Sequence, residues 1–131
     1  MKDREYKKKD LSPSDCYIAS YIQRFRFIGQ DDTNTNKRCD AWENTILIRA
    51  SDPDQAYKKA VIEAKLNCKP YTNSLGKRVQ FTFEGLTSLL PIYDELEDGV
   101  EVSWTVHENK AIKTVKNMVK KKSELEVLCE K

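Results

Sequence analysis

The chain has 131 residues, of which 39% are hydrophobic and 34% are charged, so it has the size and composition of one small domain with a charged surface. Its formal net charge is only +2, which excludes a strong overall field for nucleic acid or anionic lipid. No apolar stretch approaches the roughly 20 residues that cross a bilayer, and Met1 to Asp10 is too charged for a secretory signal. These features predict a cytoplasmic protein that makes no contact with a membrane.

The first part of the chain predicts a polar arm followed by two strands. Residues 1–14 contain three consecutive lysines and few apolar residues, which predicts a disordered basic arm ahead of a single domain over 15–131. Apolar and aromatic side chains alternate over 16–28, and a strand pattern resumes over 42–50 after a polar loop. We expect these strands to pair antiparallel, with the run Ile46-Leu47-Ile48 buried on both faces in the middle of a sheet.

A helix is predicted over about 52–67. Ser51 is expected to cap its first N–H groups, and Pro53 suits the first turn. The helix is amphipathic, and the small residues on its apolar side allow a close approach to a sheet. That apolar side is made by Ala56, Tyr57, Ala60, Val61 and Ala64.

A hairpin is predicted after this helix. Tyr71 and Thr72 form a short extended piece, and Asn73 to Gly76 has the residues of a turn. The alternation of apolar and polar residues over 78–89 then predicts a second hairpin strand, with a kink at Gly85.

The last third of the chain completes the predicted fold. A single helical turn is expected over 93–97, a final strand over 100–107, and a terminal amphipathic helix over about 108–128. The order of elements predicts an α+β fold: a single antiparallel β-sheet with a helix packed on one face, and a C-terminal amphipathic helix.

Several short segments together resemble a known bacterial family. Residues 42–50 read WENTILIRA, and Asp52, Ala56 and Ala60 follow with the spacing D-x-x-x-A-x-x-x-A. Further matching segments are Tyr71 with Asn73 and Gly76, FTFEG over 81–85, and LEDGVEV over 96–102, which contains D-G-x-E. In this order they resemble the family of domains of unknown function numbered 4288, over roughly 17–104. The resemblance implies no activity, and it leaves the basic arm and the C-terminal helix outside the family.

The sequence predicts no catalytic or metal site. His107 is the only histidine, and no recognisable nucleophile arrangement surrounds it. Cys16, Cys39, Cys68 and Cys129 lack the spacing of a zinc site, so we expect four reduced cysteines, mostly buried. The glycines form no phosphate-binding loop. We therefore predict a protein that is not an enzyme and uses no cofactor or metal.

The acidic residues are concentrated in one stretch. Glu84 to Glu101 contains six carboxylates and no lysine or arginine. Such a stretch can imitate phosphates and steer onto a basic protein surface, with an aromatic residue as its anchor. The predicted partner-binding residues are Tyr93, Asp94, Glu95, Glu97, Asp98 and Glu101.

The sequence favours one function and leaves two others open. The favoured function is a protein-binding module with a basic protein partner, such as an immunity protein that binds and neutralises a toxin domain. A cytoplasmic housekeeping or regulatory domain is the first alternative. Weak nucleic-acid binding through lysines such as Lys113, Lys116 and Lys120 is the second, less favoured because glutamates are interleaved with them. The oligomeric state stays open.

Overall fold

A computed structural model describes residues 5–129. Its regular elements are β1 (Cys16–Phe27), β2 (Ala41–Arg49), α1 (Pro53–Leu66), β3 (Tyr71–Thr72), β4 (Arg78–Pro91) and α2 (Ile112–Asn117), with single 3-10 turns at Lys8–Asp10, Lys122–Glu124 and Glu126–Leu128. The four strands form one sheet in the order β2-β1-β4-β3, and every neighbouring pair is antiparallel. The predicted α+β class with a single antiparallel sheet is confirmed. No helix within the described residues is long and apolar enough to cross a membrane.

Strand β1 is the centre of the sheet. It pairs with β2 from Cys16 to Arg24 and with β4 from Tyr17 to Phe27. Two residues of β4, Glu84 and Thr87, have no partner on β1, so each forms a bulge that bends the long strand. The kink predicted at Gly85 lies between these two bulges.

Helix α1 covers one face of the sheet. Asp52, and not the predicted Ser51, caps it: the Asp52 carboxylate accepts a hydrogen bond of 2.8 Å from the Gln55 N–H. An aspartate one residue closer to the helix is better placed to accept from the free N–H groups. Three alanines of α1 are fully buried against the sheet, whereas Tyr57 on the same helix is half-exposed. The main core cluster consists of Tyr17, Ala19, Ile48, Ala50, Ala56 and Ala60.

The position predicted for the run Ile46-Leu47-Ile48 is wrong. Strand β2 lies at the edge of the sheet, so the run is not buried on both faces. Ile48 faces α1 and is buried, while Leu47 faces the other way and is 50% exposed. A run of three apolar residues is compatible with a central strand and also with an edge strand that has one covered face. The sequence pattern alone does not distinguish these two positions.

Two predicted elements after Pro91 are also wrong, and the predicted C-terminal helix is present but shorter than expected. The structure has no helical turn over 93–97 and no strand over 100–107, and only Ile112–Asn117 of the predicted terminal helix is α-helical. The alternation over 100–107 is real, but none of the described strands pairs with it. The C-terminal apolar side chains, among them Ile112 and Val119, are exposed, so no packing supports a longer helix.

The arm predicted over 1–14 lies partly outside the described residues, which begin at residue 5. Within them, Ser12 is buried and bonded to the sheet, and the Tyr6 hydroxyl donates a hydrogen bond to Asp54 at the start of α1. The Ser12 hydroxyl accepts from the Cys16 N–H at 3.0 Å and donates to the Ile92 carbonyl. From Ser12 onward the chain is therefore attached to the domain.

Candidate functional site

The acidic segment, defined as residues 93–101, leaves the sheet directly after β4. Ile92 anchors its beginning, since this side chain is buried and its N–H donates to the Cys16 carbonyl at 2.9 Å. The Ser14 hydroxyl donates to the Asp94 carbonyl at 3.0 Å, and Val100 packs against the small core that contains Ile92. The segment therefore follows an irregular path that is fixed at both ends.

The side chains of the acidic segment point into solvent. Its five carboxylates are all exposed, and among residues 5–129 none of them lies within salt-bridge distance of a lysine or arginine. They belong to Asp94, Glu95, Glu97, Asp98 and Glu101. Glu84, the sixth carboxylate of the acidic stretch, lies elsewhere, because it forms an ion pair of 2.9 Å with Arg24 on β1. The structure thus brings together the predicted site residues and separates Glu84 from them.

An aromatic pair borders the acidic segment. The rings of Tyr93 and Trp104 lie 6.4 Å apart at 30°, and both are a little under half exposed. The Tyr93 hydroxyl donates to the Lys9 carbonyl, which fixes the orientation of the ring. A cleft of about 390 Å³ opens beside the pair, with Tyr6 and Lys9 also in its wall. Sequence reasoning identified Tyr93 but placed Trp104 in a strand.

A second surface, the aromatic face, was missed by sequence reasoning. It consists of Phe25, Phe27, Trp42, Tyr71 and Phe81, which come from all four strands. Phe81 is its centre: its ring lies 5.8 Å from Phe25, 5.2 Å from Trp42 and 6.5 Å from Tyr71, while Phe25 lies 5.3 Å from Phe27. Each of the five rings is partly or substantially exposed.

The aromatic face exists because α1 is shorter than the strands beneath it. Side chains of β1 alternate, so Phe25 and Phe27 lie on the same face as the buried Tyr17. A 14-residue helix spans about 21 Å, whereas 12 residues of strand span about 40 Å. The turn after α1 contacts the sheet through Cys68, whose sulfur lies 3.7 Å from the Gln23 side-chain oxygen and whose carbonyl accepts from the Gln80 amide at 3.2 Å. Comparing these lengths in the sequence would have revealed an uncovered end of the sheet.

A cluster of paired charges lies on the opposite face of β1. Asp32 accepts hydrogen bonds from Arg24 at 3.0 Å and from Arg26 at 2.9 Å, and also bonds to Gln30. The Gln30 hydrogen bond, followed by that of Arg24, lowers the pKa of Asp32 to about 2. Its carboxylate and that of Glu84 raise the pKa of Arg24. Two cations meet two anions here, so these four charges pair with one another and fix the loop between β1 and β2.

Comparison with known proteins identifies the family. The model of the family DUF4288, described as a domain of unknown function, matches residues 16–104. The chain belongs to the DUF4288 family. The match confirms the resemblance stated from the sequence, and it includes the whole sheet, α1, the acidic segment and Trp104. No curated protein and no solved structure matches the chain.

The remaining reactive residues do not assemble around either surface. Cys16 and Cys68, both within the DUF4288 match, are buried, whereas Cys39 and Cys129 are exposed, so the expectation of mostly buried cysteines is wrong for two of the four. Burial raises the pKa of the Cys68 thiol. His107 lies just beyond the match and is exposed. Within residues 5–129 no group of three or more histidines, cysteines or carboxylates could hold a metal ion.

Proposed function

We propose that this DUF4288 protein is a binding module that docks a basic protein on its acidic segment. The observation that supports the proposal is the arrangement of residues 93–101: five exposed carboxylates, none in a salt bridge within the described residues, on a path fixed at both ends. Exposed like charges cost little in water, and the same charges attract a basic surface from about a Debye length away.

The aromatic pair beside the carboxylates supplies apolar contact area, which the charges alone do not provide. Carboxylates at the rim of an interface raise the rate of association, while aromatic side chains buried at its centre slow dissociation. Tyr93 and Trp104 are half-exposed and held next to the acidic segment, so a partner can cover both rings without rearranging the backbone. The two kinds of residue together favour a protein partner.

The specific partner that we propose is a toxin domain that acts on nucleic acid. The active cleft of such a domain is basic because it binds phosphates, and a rigid row of carboxylates can occupy the same positions. In this interpretation the protein is an immunity protein that blocks the cleft. A housekeeping or regulatory partner with a similarly basic surface would use the same residues.

The test combines capture of the partner with binding kinetics. The immobilised protein is exposed to a lysate of its native host, in parallel with the variant E95Q/E97Q/D98N and the control variant E43Q/E63Q/E108Q. The control removes the same number of exposed glutamate or aspartate charges at sites away from the acidic segment. We expect a basic protein to be retained by the wild type and the control and lost from the first variant.

Kinetics with the purified partner then test the mechanism. E95Q/E97Q/D98N should slow association several-fold at low salt, and the defect should shrink as salt screens the charges. The control should associate at the wild-type rate. Equal association rates for all three proteins would contradict the proposal, and so would a wild-type capture that contains no basic protein lost from E95Q/E97Q/D98N. Protection of cells against the partner, when it is a toxin, separates the immunity function from a regulatory one.

A further inference from the structure

The aromatic face has a chemical environment of its own, at the end of β1 away from the acidic segment. Residues 64–83, which lead from the end of α1 through β3 into β4, contain four cations and no carboxylate: Lys65, Lys69, Lys77 and Arg78. Two of the lysines lie against rings of this face of the sheet. The Lys77 ammonium is 5.5 Å from the centre of the Phe27 ring, and the Lys65 ammonium is 5.9 Å from that of Phe83.

The near-zero net charge of the chain therefore hides a separation of charge. Negative charge is concentrated in residues 93–101, and two lysines lie against rings on the other part of the sheet, Lys77 against Phe27 and Lys65 against Phe83. Ion pairs do not neutralise this positive charge, because none of the four cations of residues 64–83 is in a salt bridge within the described residues. The face thus offers flat aromatic surfaces and unpaired cations at the same place.

We propose that the aromatic face binds single-stranded nucleic acid. Unpaired bases stack on exposed aromatic rings, and lysine and arginine side chains at the edge of the rings contact the phosphates. Trp42, Tyr71 and Phe27 are the most exposed rings, at 47%, 40% and 42%, and provide the stacking surface. A duplex keeps its bases stacked on one another, so it cannot use these rings and should bind more weakly.

Two other occupants fit the face less well. A second copy of the chain placed face to face would bring the four cations of one protomer against those of the other, which is unfavourable at an interface. A protein partner would have to combine an apolar surface with acidic side chains. Nucleic acid supplies both the flat apolar group and the negative charge in every nucleotide. The proposal is independent of the acidic segment and of the function proposed for it.

The two tryptophans give a direct readout of stacking, because Trp42 lies on the aromatic face and Trp104 lies beside the acidic segment. The variant W104F keeps Trp42 as its fluorophore, and W42F keeps Trp104. The probe is an oligouridylate of about 12 nucleotides, within the length that one single-strand-binding domain covers. We expect it to quench the fluorescence of W104F and to leave that of W42F unchanged. Both substitutions keep an aromatic ring, so the fold is preserved.

Affinity measurements by fluorescence anisotropy of a labelled oligouridylate test the energetics. Loss of one stacking ring in W42A should weaken binding about 5-fold or more, whereas W104A, the matched tryptophan control, should bind like the wild type. In K65Q/K77Q the slope of log affinity against log salt should fall by about 1.4, since each phosphate contact contributes about 0.7 for single strands. The control K113Q/K116Q removes two exposed lysines of α2 and should keep the wild-type slope.

The proposal is overturned by any of four results. The first is that oligouridylate leaves the Trp42 fluorescence of W104F unchanged, and the second is that K113Q/K116Q weakens binding as much as K65Q/K77Q does. The third is quenching of Trp42 by an acidic peptide such as oligoglutamate and not by oligouridylate, which would assign the face to a protein partner. A sedimentation measurement that shows dimers in the wild type and monomers in W42A would assign it to a second copy and overturn the proposal as well.

Discussion

The hydroxyl of Ser12 is expected to stabilise the whole domain. Ser12 is only 6% exposed and lies where the first residue of β1 meets the residue after β4. Its oxygen accepts a hydrogen bond from the Cys16 N–H and donates one to the Ile92 carbonyl, so it is inserted in the ladder where a direct bond between these two groups would otherwise form. The serine thus joins the N-terminal segment to both long strands of the sheet.

The substitution Ser12→Ala removes the hydroxyl and leaves the Cys16 N–H and the Ile92 carbonyl without this partner. A buried polar group without a hydrogen bond costs about 1–3 kcal/mol, so we expect the free energy of unfolding to fall by about 2–4 kcal/mol. That is a large part of the roughly 5–15 kcal/mol that stabilises a domain of this kind.

Equilibrium unfolding in urea measures this change. The control Ser74→Ala alters an exposed serine in the hairpin turn and should change the free energy by less than about 0.5 kcal/mol. A loss below about 1 kcal/mol in Ser12→Ala would refute the reasoning, because it would show that the Cys16 N–H bonds directly to the Ile92 carbonyl once the hydroxyl is gone.

Three further predictions concern the core, the thiols and acid. Ile48→Asp should abolish the cooperative thermal transition, since a buried unpaired charge costs several kcal/mol, whereas Leu47→Asp at the neighbouring exposed position should still fold. Iodoacetamide should modify the exposed Cys39 rapidly in the native protein and Cys68 only after unfolding, as mass spectrometry can check. The folded-state pKa of Asp32 is lowered to about 2. The hydrogen bonds that its ionised carboxylate accepts therefore stabilise the loop above pH about 4, and this stabilisation is lost as the pH falls toward 2. Hydrogen exchange of the loop should show this loss, and Asp32→Asn should weaken the pH dependence, leaving the part from Asp31, whose pKa is also lowered by the hydrogen bond from the Thr33 N–H.

The sheet and α1 could be predicted from the sequence because their hydrophobic periods are unambiguous. Alternation over β1 and β4 corresponds to two long strands that pair with each other, and the alanine spacing of α1 corresponds to the helix face that is buried against the sheet. The hairpin at Asn73 was equally clear: this side chain accepts from the Leu75 and Lys77 N–H groups, and Gly76 has the positive φ of 79° that favours glycine. In these segments local preference and tertiary packing agree.

The segments after β4 could not be predicted because no other described element packs against their regularly spaced apolar residues. Val102, Trp104 and Val106 alternate as a strand does, yet a strand forms only where another strand offers a free edge in register. The C-terminal lysine-rich segment has helical spacing, but a short isolated helix is marginal in water and none of its apolar residues is covered. The spacing of apolar residues shows which face of a strand or helix would be buried. It does not show whether another element is available to cover that face.

The acidic segment could be found in the sequence for the same reason that the aromatic face was missed. Charges of one sign that are adjacent in sequence remain adjacent in any fold, so residues 93–101 form one surface whatever their backbone does. The five rings of the aromatic face are adjacent only after all four strands have paired and α1 has ended short of them.

The sheet also separates the two surfaces. The acidic segment starts beside Cys16, and the aromatic face lies around Phe27 at the other end of β1, roughly 35 Å away for a strand of this length. That distance is several Debye lengths at physiological salt, so neither surface weakens the field of the other. Changes more than about 10 Å apart without shared contacts add independently. The basic partner and the acidic polymer that we propose would therefore occupy opposite ends of one small DUF4288 domain.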